Sequence, residues 1–358
     1  MLKPADSITR VKQYHPPLGG RTGLRLDFNE NTAGCSPRVM ERLHNITAEQ
    51  LTRYPEREPV EQVVADWLGL PPAEVLLTNG VDEAIHLLCE TYLQAGDEAI
   101  VAVPTFGMYE VYASATGATV ATVAAGAAFN FPAAGVLAHI APRTRLIAIA
   151  NPNNPTGAVA QAEDLLAIVE RAADAAVLVD EAYFDFYGQG LISEVSRRKN
   201  LFVARTFSKA YGMAGLRIGV LAGPAAQMAE VRRIASPYNV NGVALACLPA
   251  ALEDHVYVRA YVESVRRGRA RLEAELRALE IPFWPSQANF VLAQFGAAHE
   301  KFVSAMRRRG ILVRDRHHDP GCAGCVRITV GTDAHTDELI AALRDYARQG
   351  SRAAEVPA

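Results

Sequence analysis

The chain has 358 residues, half of them hydrophobic, with a mean hydropathy near zero. That makeup suits a globular protein with a large core and room for two domains. Lys and Arg (36) nearly balance Asp and Glu (39), leaving a formal charge of −3, so the overall charge favours neither nucleic acid nor an anionic membrane as partner.

Residues Met1–Arg10 lack the apolar core of a secretory signal and no apolar run is long enough to span a bilayer, so the expected compartment is the cytoplasm. Residues 1–45 carry no regular pattern long enough for a domain. Pro16, Pro17, Gly19, Gly20 and Gly23 predict an extended arm. Within it Leu24–Phe28 reads as a short strand, Asn29-Glu30-Asn31 as a polar turn, and Ser36-Pro37 as the cap and first residue of a helix through Leu43. A loop at Arg53-Tyr54-Pro55 leads to a helix over Pro59–Leu68.

From Glu74 the chain alternates. Strands are predicted at Val75–Thr78, Ala99–Val103, Thr119–Val123, Leu146–Ala150, Val177–Val179, Leu201–Ala204 and Ile218–Leu221, with helices at Val81–Leu93, Met108–Thr116 and Ala162–Ala173. Strands this apolar suit a mostly parallel sheet covered by helices on both faces, an α/β three-layer arrangement. The Ala/Gly run Ala124–Ala128 reads as a loop, and the alternating block ends near Ala235.

A long charged helix is expected from about Glu253 to Leu279. Its Glu and Arg residues interleave at helical spacing, which marks a solvated, ion-paired face rather than a nucleic-acid surface. Strands at Phe290–Ala293, Ile311–Val313 and Val326–Val330, with helices at Glu300–Arg309 and Thr336–Arg348, make a smaller α+β unit. The expected division is an arm (1–45) packing with the small domain, a large domain (46–245) and a small domain (246–358), with a frayed tail after Gln349.

Five cysteines, at 35, 89, 247, 322 and 325, are too sparse and odd in number for a disulfide framework. Cys322-Ala323-Gly324-Cys325, with His317 and His318 upstream, has ligand-like spacing. A zinc or redox site is the sharper reading, but one pair without a second at the usual distance reads as a loop between two strands, and no metal is expected.

Four stretches carry chemistry. In Thr206–Gly219 a short apolar strand ends in a hydroxyl- and Gly-rich loop holding Lys209. The plain reading is a surface lysine beside a capping Ser208; the sharper one is an amine that forms a Schiff base, with Ser208 and Arg217 gripping a phosphate. Asn151-Pro152-Asn153-Asn154-Pro155-Thr156-Gly157 is a rigid turn at a strand's carboxyl end, where open α/β sheets bind ligands, and it presents Asn154. In Val177–Tyr183, Asp180 falls at the rim of the sheet, where an unpaired carboxylate is costly and a protonated heterocyclic nitrogen is a natural partner. Thr78–Ala84 runs strand, Gly turn, helix, leaving backbone N–H groups at Val81 and Asp82 for a phosphate, although first-turn acids alone would account for Asp82 and Glu83.

Lysine, aspartate, tyrosine, asparagine, arginine and a helix N-terminus, each after its own strand, match the needs of pyridoxal 5′-phosphate. On these motifs, with Arg53-Tyr54-Pro55, Pro104-Thr105-Phe106-Gly107-Met108-Tyr109 and Arg327-Ile328-Thr329-Val330-Gly331-Thr332, the chain resembles the fold-type I pyridoxal-phosphate aminotransferases of class I/II. Within them it is most similar to the histidinol-phosphate aminotransferase group, over nearly all of residues 20–345.

The resemblance implies the PLP-transferase fold and a set of roles. Lys209 is the Schiff-base lysine that then moves the substrate's proton, and Asp180 keeps the ring nitrogen protonated. Tyr183 and Asn154 bond the phenolic oxygen while Phe106 stacks on the ring. Val81, Asp82, Thr206, Ser208 and Arg217 surround the phosphate. Tyr54 reaches the neighbouring subunit's phosphate, which implies a homodimer with composite sites. Arg327 binds the α-carboxylate of glutamate or 2-oxoglutarate, and Arg314 and Tyr14 are candidates for a second anionic group.

The implied reaction is transamination of L-histidinol phosphate with 2-oxoglutarate. An aromatic or other amino-acid transaminase, or a phospho-amino-acid decarboxylase of the same fold, is the alternative. A ligand-sensing regulator is a third class, but no helix-turn-helix fits ahead of the arm. Three departures from the family pattern stand out: Thr32 where Pro is frequent, Phe106 where Tyr is frequent, and the His- and Cys-bearing segment Asp315–Cys325.

Overall fold

The computed structural model describes residues 2–13, 19–20 and 22–354, with side chains described through residue 349. The described residues form twelve strands: β1 Leu24–Leu26, β2 Val75–Thr78, β3 Glu98–Val103, β4 Thr119–Ala124, β5 Thr144–Ala150, β6 Ala176–Asp180, β7 Leu201–Thr206, β8 Gly219–Ala222, β9 Phe283–Trp284, β10 Phe290–Gln294, β11 Ile311–Asp315 and β12 Cys325–Thr329. Seven form one sheet in the order β2-β8-β7-β6-β5-β3-β4, and the other five form a second in the order β1-β11-β12-β10-β9. Only β8 runs against its neighbours in the large sheet.

The large sheet is apolar on both faces because helices cover both. In β5, β6 and β7, Ile147, Ile149, Val177, Val179, Leu201 and Val203 enter one core cluster. Their alternates Leu146, Ala148, Ala176, Leu178, Phe202 and Ala204 enter the other, as the two-residue side-chain period requires. β4 departs from the expectation of strands apolar throughout: it is the edge, and several of its residues face water.

Several local signals hold. Ser36 accepts from the Arg38 amide, with Pro37 opening the helix Pro37–His44, and Gly69 ends the helix Glu58–Leu68 in a left-handed conformation. The charged helix expected over Glu253–Leu279 is present as His255–Ala278, and a separate helix, Gly242–Glu253, precedes it outside the expected range. Asp254 separates the two and caps the charged helix by accepting the Tyr257 amide at 3.3 Å. The Ala124–Ala128 stretch is part strand and part 3-10 turn rather than all loop. Helices at Ala133–His139 and Ala225–Ile234 were not anticipated.

β1 lies parallel to β11, Leu24 opposite Ile311, which ties the N-terminal segment to the smaller sheet. Glu61 is buried and anchors a charged knot: it pairs with Arg57 at 2.8 Å and Arg232 at 3.1 Å and accepts the Leu77 amide at 2.9 Å. Among the described residues no helix is long and apolar enough to cross a membrane, and no group of three or more His, Cys, Asp or Glu side chains could hold a metal. Cys322 and Cys325 are buried at the turn joining β11 to β12, packed with Leu292.

Candidate active site

β5, β6 and β7 are parallel neighbours, so their carboxyl ends lie together. β2 ends level with them, since Gly219 of β8 stands opposite both Thr78 and Thr206. At this rim a cavity of about 290 Å³ opens between the large sheet and β11–β12, near the lower end of the size range of small-molecule sites. Each motif singled out above lies after one of these strand ends.

Asp180, the last residue of β6, is buried and lines the cavity. Tyr109 donates to its Oδ2 at 2.6 Å and the Ala182 amide to its Oδ1 at 3.0 Å. Burial pushes the Asp180 carboxyl up to about 6, while those two hydrogen bonds work to keep it ionised. Its neighbour Glu181 turns the other way, into Arg205 at 2.8 Å and the Leu191 amide.

Lys209 sits in the loop after β7 and also lines the cavity. Its Nζ donates to the Phe28 carbonyl at 3.1 Å. Burial, then the charge of Arg327, lowers its ammonium from 10.5 to about 8. Tyr183 lies beside it, ring centroid 5.9 Å from Nζ, with its hydroxyl accepting from Asn29 Nδ2 at 2.8 Å. The Tyr183 hydroxyl proton is thus left for an acceptor in the cavity. Burial raises that phenol above its ordinary value.

At one end of the cavity the helix Gly80–Tyr92 points its N-terminus inward. Arg217, itself left-handed at φ 54°, lays its guanidinium against that terminus and pairs with Asp82 at 3.1 Å. Gly80 makes this approach feasible: at φ +75° a Cβ there would lie 2.5 Å from Arg217 Nη2. Val81, Asp82, Thr206 and Ser208 complete this end, and the Ser208 amide is held by Thr206 Oγ1 at 3.1 Å.

The other end is cationic. Arg327 of β12 donates to Asn154 Oδ1 and to the Asp27 carbonyl. Arg314 stands opposite it on β11, its guanidinium 5.3 Å from the Phe28 ring centre. Phe106 forms part of the wall and meets Tyr109 edge-on at 5.9 Å.

One predicted residue does not join this set, and another cannot be placed in or out of it. Tyr54 is 77 % exposed, outside the cavity, and stacks on Tyr238 at 4.3 Å; Tyr14 lies outside the described residues. Residues that sequence reasoning did not place in the site are Phe28, Asn29, Glu30, Tyr109 and Arg316. Arg316 had an available signal, two residues beyond Arg314 and so on the same side of an extended chain.

The donor set fits pyridoxal phosphate. An amine whose burial makes it easier to deprotonate meets the aldehyde's need, a buried carboxylate the ring nitrogen's, and a hydroxyl with an amide the phenolic oxygen's. The cradle of Gly80, the helix N-terminus and Arg217 offers donors of the right sign for a phosphate, and a Cβ at position 80 would fill it.

Residues 21–343 match the family described as Aminotransferase class I and II. A histidinol-phosphate aminotransferase from Methanococcoides burtonii is 34% identical over 94% of this chain and 92% of its own length. One from Thermoanaerobacter pseudethanolicus is 32% identical over 90% and 92%. Among solved structures, the histidinol-phosphate aminotransferase of Sinorhizobium meliloti in complex with pyridoxal-5′-phosphate superposes with a TM-score of 0.89, covering 98% of each chain at 24% identity, which supports the fold.

Proposed function

Because this chain belongs to the aminotransferase class I and II family, we propose that it transfers the amino group of L-histidinol phosphate to 2-oxoglutarate with pyridoxal 5′-phosphate as cofactor. The products are imidazole acetol phosphate and L-glutamate. The observation that carries the reading is one cavity lined by three groups of matched chemistry: Lys209 brought down to about 8, the buried Asp180 carboxylate, and arginines 314 and 327. The names of the relatives at 32–34% identity support the choice of amino donor.

When bound, pyridoxal phosphate supplies an aldehyde for the amine and a ring that draws electrons from the adjoining carbon. The protein's residues do the rest. Lys209 Nζ, with a sizeable neutral fraction just above pH 7, takes and returns the proton at the substrate's Cα. Asp180 holds a proton at the ring nitrogen by staying negative. Tyr183 donates its hydroxyl proton, and Asn154 its Nδ2, to the phenolic oxygen. Phe106 covers one ring face and excludes water there.

The amides of Val81 and Asp82, with Thr206, Ser208 and Arg217, hold the phosphate. Arg327 takes the α-carboxylate of the amino acceptor, and Arg314 and Tyr14 take the second anionic group. Tyr54, exposed and stacked on Tyr238, is assigned to the phosphate end of a second subunit's site, in a homodimer. The division into an arm (1–45), a cofactor domain (46–245) and a small domain (246–358) belongs to the same proposal, as does a cytoplasmic location.

The test mixes cofactor-loaded protein with histidinol phosphate, phenylalanine, tyrosine or histidine, and follows loss of the yellow absorbance. Histidinol phosphate is expected to react fastest. Faster reaction with an aromatic amino acid would replace the donor, release of CO₂ would replace the reaction, and full turnover by Lys209→Ala would sink the assignment of the lysine.

A further inference from the structure

Tyr109 is the second residue of the helix Met108–Ala115 and only 1 % exposed. Its helix follows β3, and β3 is separated from β6 by β5, yet its hydroxyl reaches Asp180 Oδ2 at 2.6 Å. Among the described residues no other side chain hydrogen-bonds that carboxylate. The direction of the bond is settled: burial and the negative charge of Asp180 push the Tyr109 phenol well above 10, so the phenol keeps its proton and donates.

Opposing influences surround Asp180. Burial and the carboxylates of Asp82, on the helix Gly80–Tyr92, and Glu181, next in the chain, raise it, whereas Tyr109 and the Ala182 amide lower it. Glu181 is largely engaged by Arg205 of β7. Tyr183, Lys209 and Arg217 line the same cavity. With its ordinary range already left behind, Asp180 depends on a single phenol and a single amide to stay ionised near neutral pH.

We propose that Tyr109 is the positioning residue for Asp180, its hydroxyl fixing the carboxylate's orientation and holding it negative so that it can retain the proton on the cofactor's ring nitrogen. This rests on the reading that Asp180 faces that nitrogen. The hydroxyl is committed to Asp180 Oδ2 at 2.6 Å and acts through that carboxylate. A charge-assisted hydrogen bond in a buried site carries more weight than a neutral one, and its loss leaves the carboxylate oxygen without that donor.

The test is the affinity of the full chain for pyridoxal 5′-phosphate between pH 5.5 and 9, measured by titration of the protein freed of cofactor. The comparison is among the wild type, Tyr109→Phe, a protein with 3-fluorotyrosine at position 109, and Asp180→Asn. The cofactor's own titrations are common to all and cancel in the ratios.

Removing the hydroxyl should raise the pH at which affinity falls off, giving about tenfold weaker binding near pH 7 that recovers by pH 9. The fluorinated phenol, a stronger donor of nearly the same volume, should move the fall-off the other way. Asp180→Asn should bind weakly and lose this part of the pH dependence.

Tyr109→Phe with the wild-type profile, or weaker by one factor at every pH, would overturn the proposal while leaving the Asp180 reading intact if Asp180→Asn still binds poorly. Wild-type affinity in Asp180→Asn would overturn that reading and this proposal with it. Should Tyr109→Phe fail to fold, the fluorinated protein decides alone: an unmoved or upward-moved fall-off refutes the role.

Discussion

Replacing Lys209 by methionine should make the cofactor-free protein more stable at neutral pH. Methionine fills a similar volume without a charge, whereas the lysine must keep an ammonium, or surrender its proton, in a place that disfavours the charge. The fall from 10.5 to about 8, at about 1.4 kcal/mol per tenfold change in proton affinity, corresponds to roughly 3 kcal/mol as an upper bound. The hydrogen bond to the Phe28 carbonyl at 3.1 Å returns about 1 kcal/mol of it.

The sign with pH follows from linkage. The folded value lies below the unfolded one, so between about 8 and 10.5 the unfolded chain binds more protons and wild-type stability rises with pH. The methionine variant lacks this group, and its advantage should be constant below pH 8, shrink through that window and vanish above it. Urea unfolding of both proteins at pH 7 and pH 10.5 measures the gap at each end. A methionine variant less stable at pH 7, or an advantage of equal size at both pH values, would refute the desolvation argument.

Glu61→Ala should be among the most damaging core substitutions, because it leaves Arg57 and Arg232 without their shared carboxylate and the Leu77 amide without its acceptor. Roughly 3–5 kcal/mol is expected, read by urea unfolding. Gly157→Ala should fail to accumulate as soluble protein or lose several kcal/mol: φ is +73° and the new Cβ would lie 2.9 Å from the Ser286 Cα. Arg327→Gln should raise the KM for 2-oxoglutarate roughly a hundredfold. Because Arg327 also holds Asn154, a smaller shift in the cofactor's absorbance is expected too. Steady-state kinetics with varied acceptor would contradict the assignment if KM stayed near its wild-type value.

The parts of this molecule legible in its sequence are those whose partners are local or whose burial is symmetric. β5, β6 and β7 read as strands because both faces are covered, so each is an unbroken apolar run ending in a polar motif. Runs of that kind also fix where the motifs converge, since parallel neighbours place their carboxyl ends at one rim. Lys209, Asp180 and Asn154 could therefore be placed in one site from order alone.

Contacts whose partners are far apart in the chain left no such trace. Tyr109 meets Asp180 across 71 positions, and Lys209 meets a backbone carbonyl 181 positions away, where the identity of Phe28 is immaterial. A sequence announces which side chains can do chemistry more readily than which groups will hold them still. In this cavity the holding groups are a phenol on a helix and a carbonyl of the N-terminal segment, and neither residue type at its own position implies the task. The proton affinities of Asp180 and Lys209 depend on how deeply these distant segments bury them. That burial is a property of the assembled rim, which is why residue types could be assigned to the site before the structure but their tuning could not.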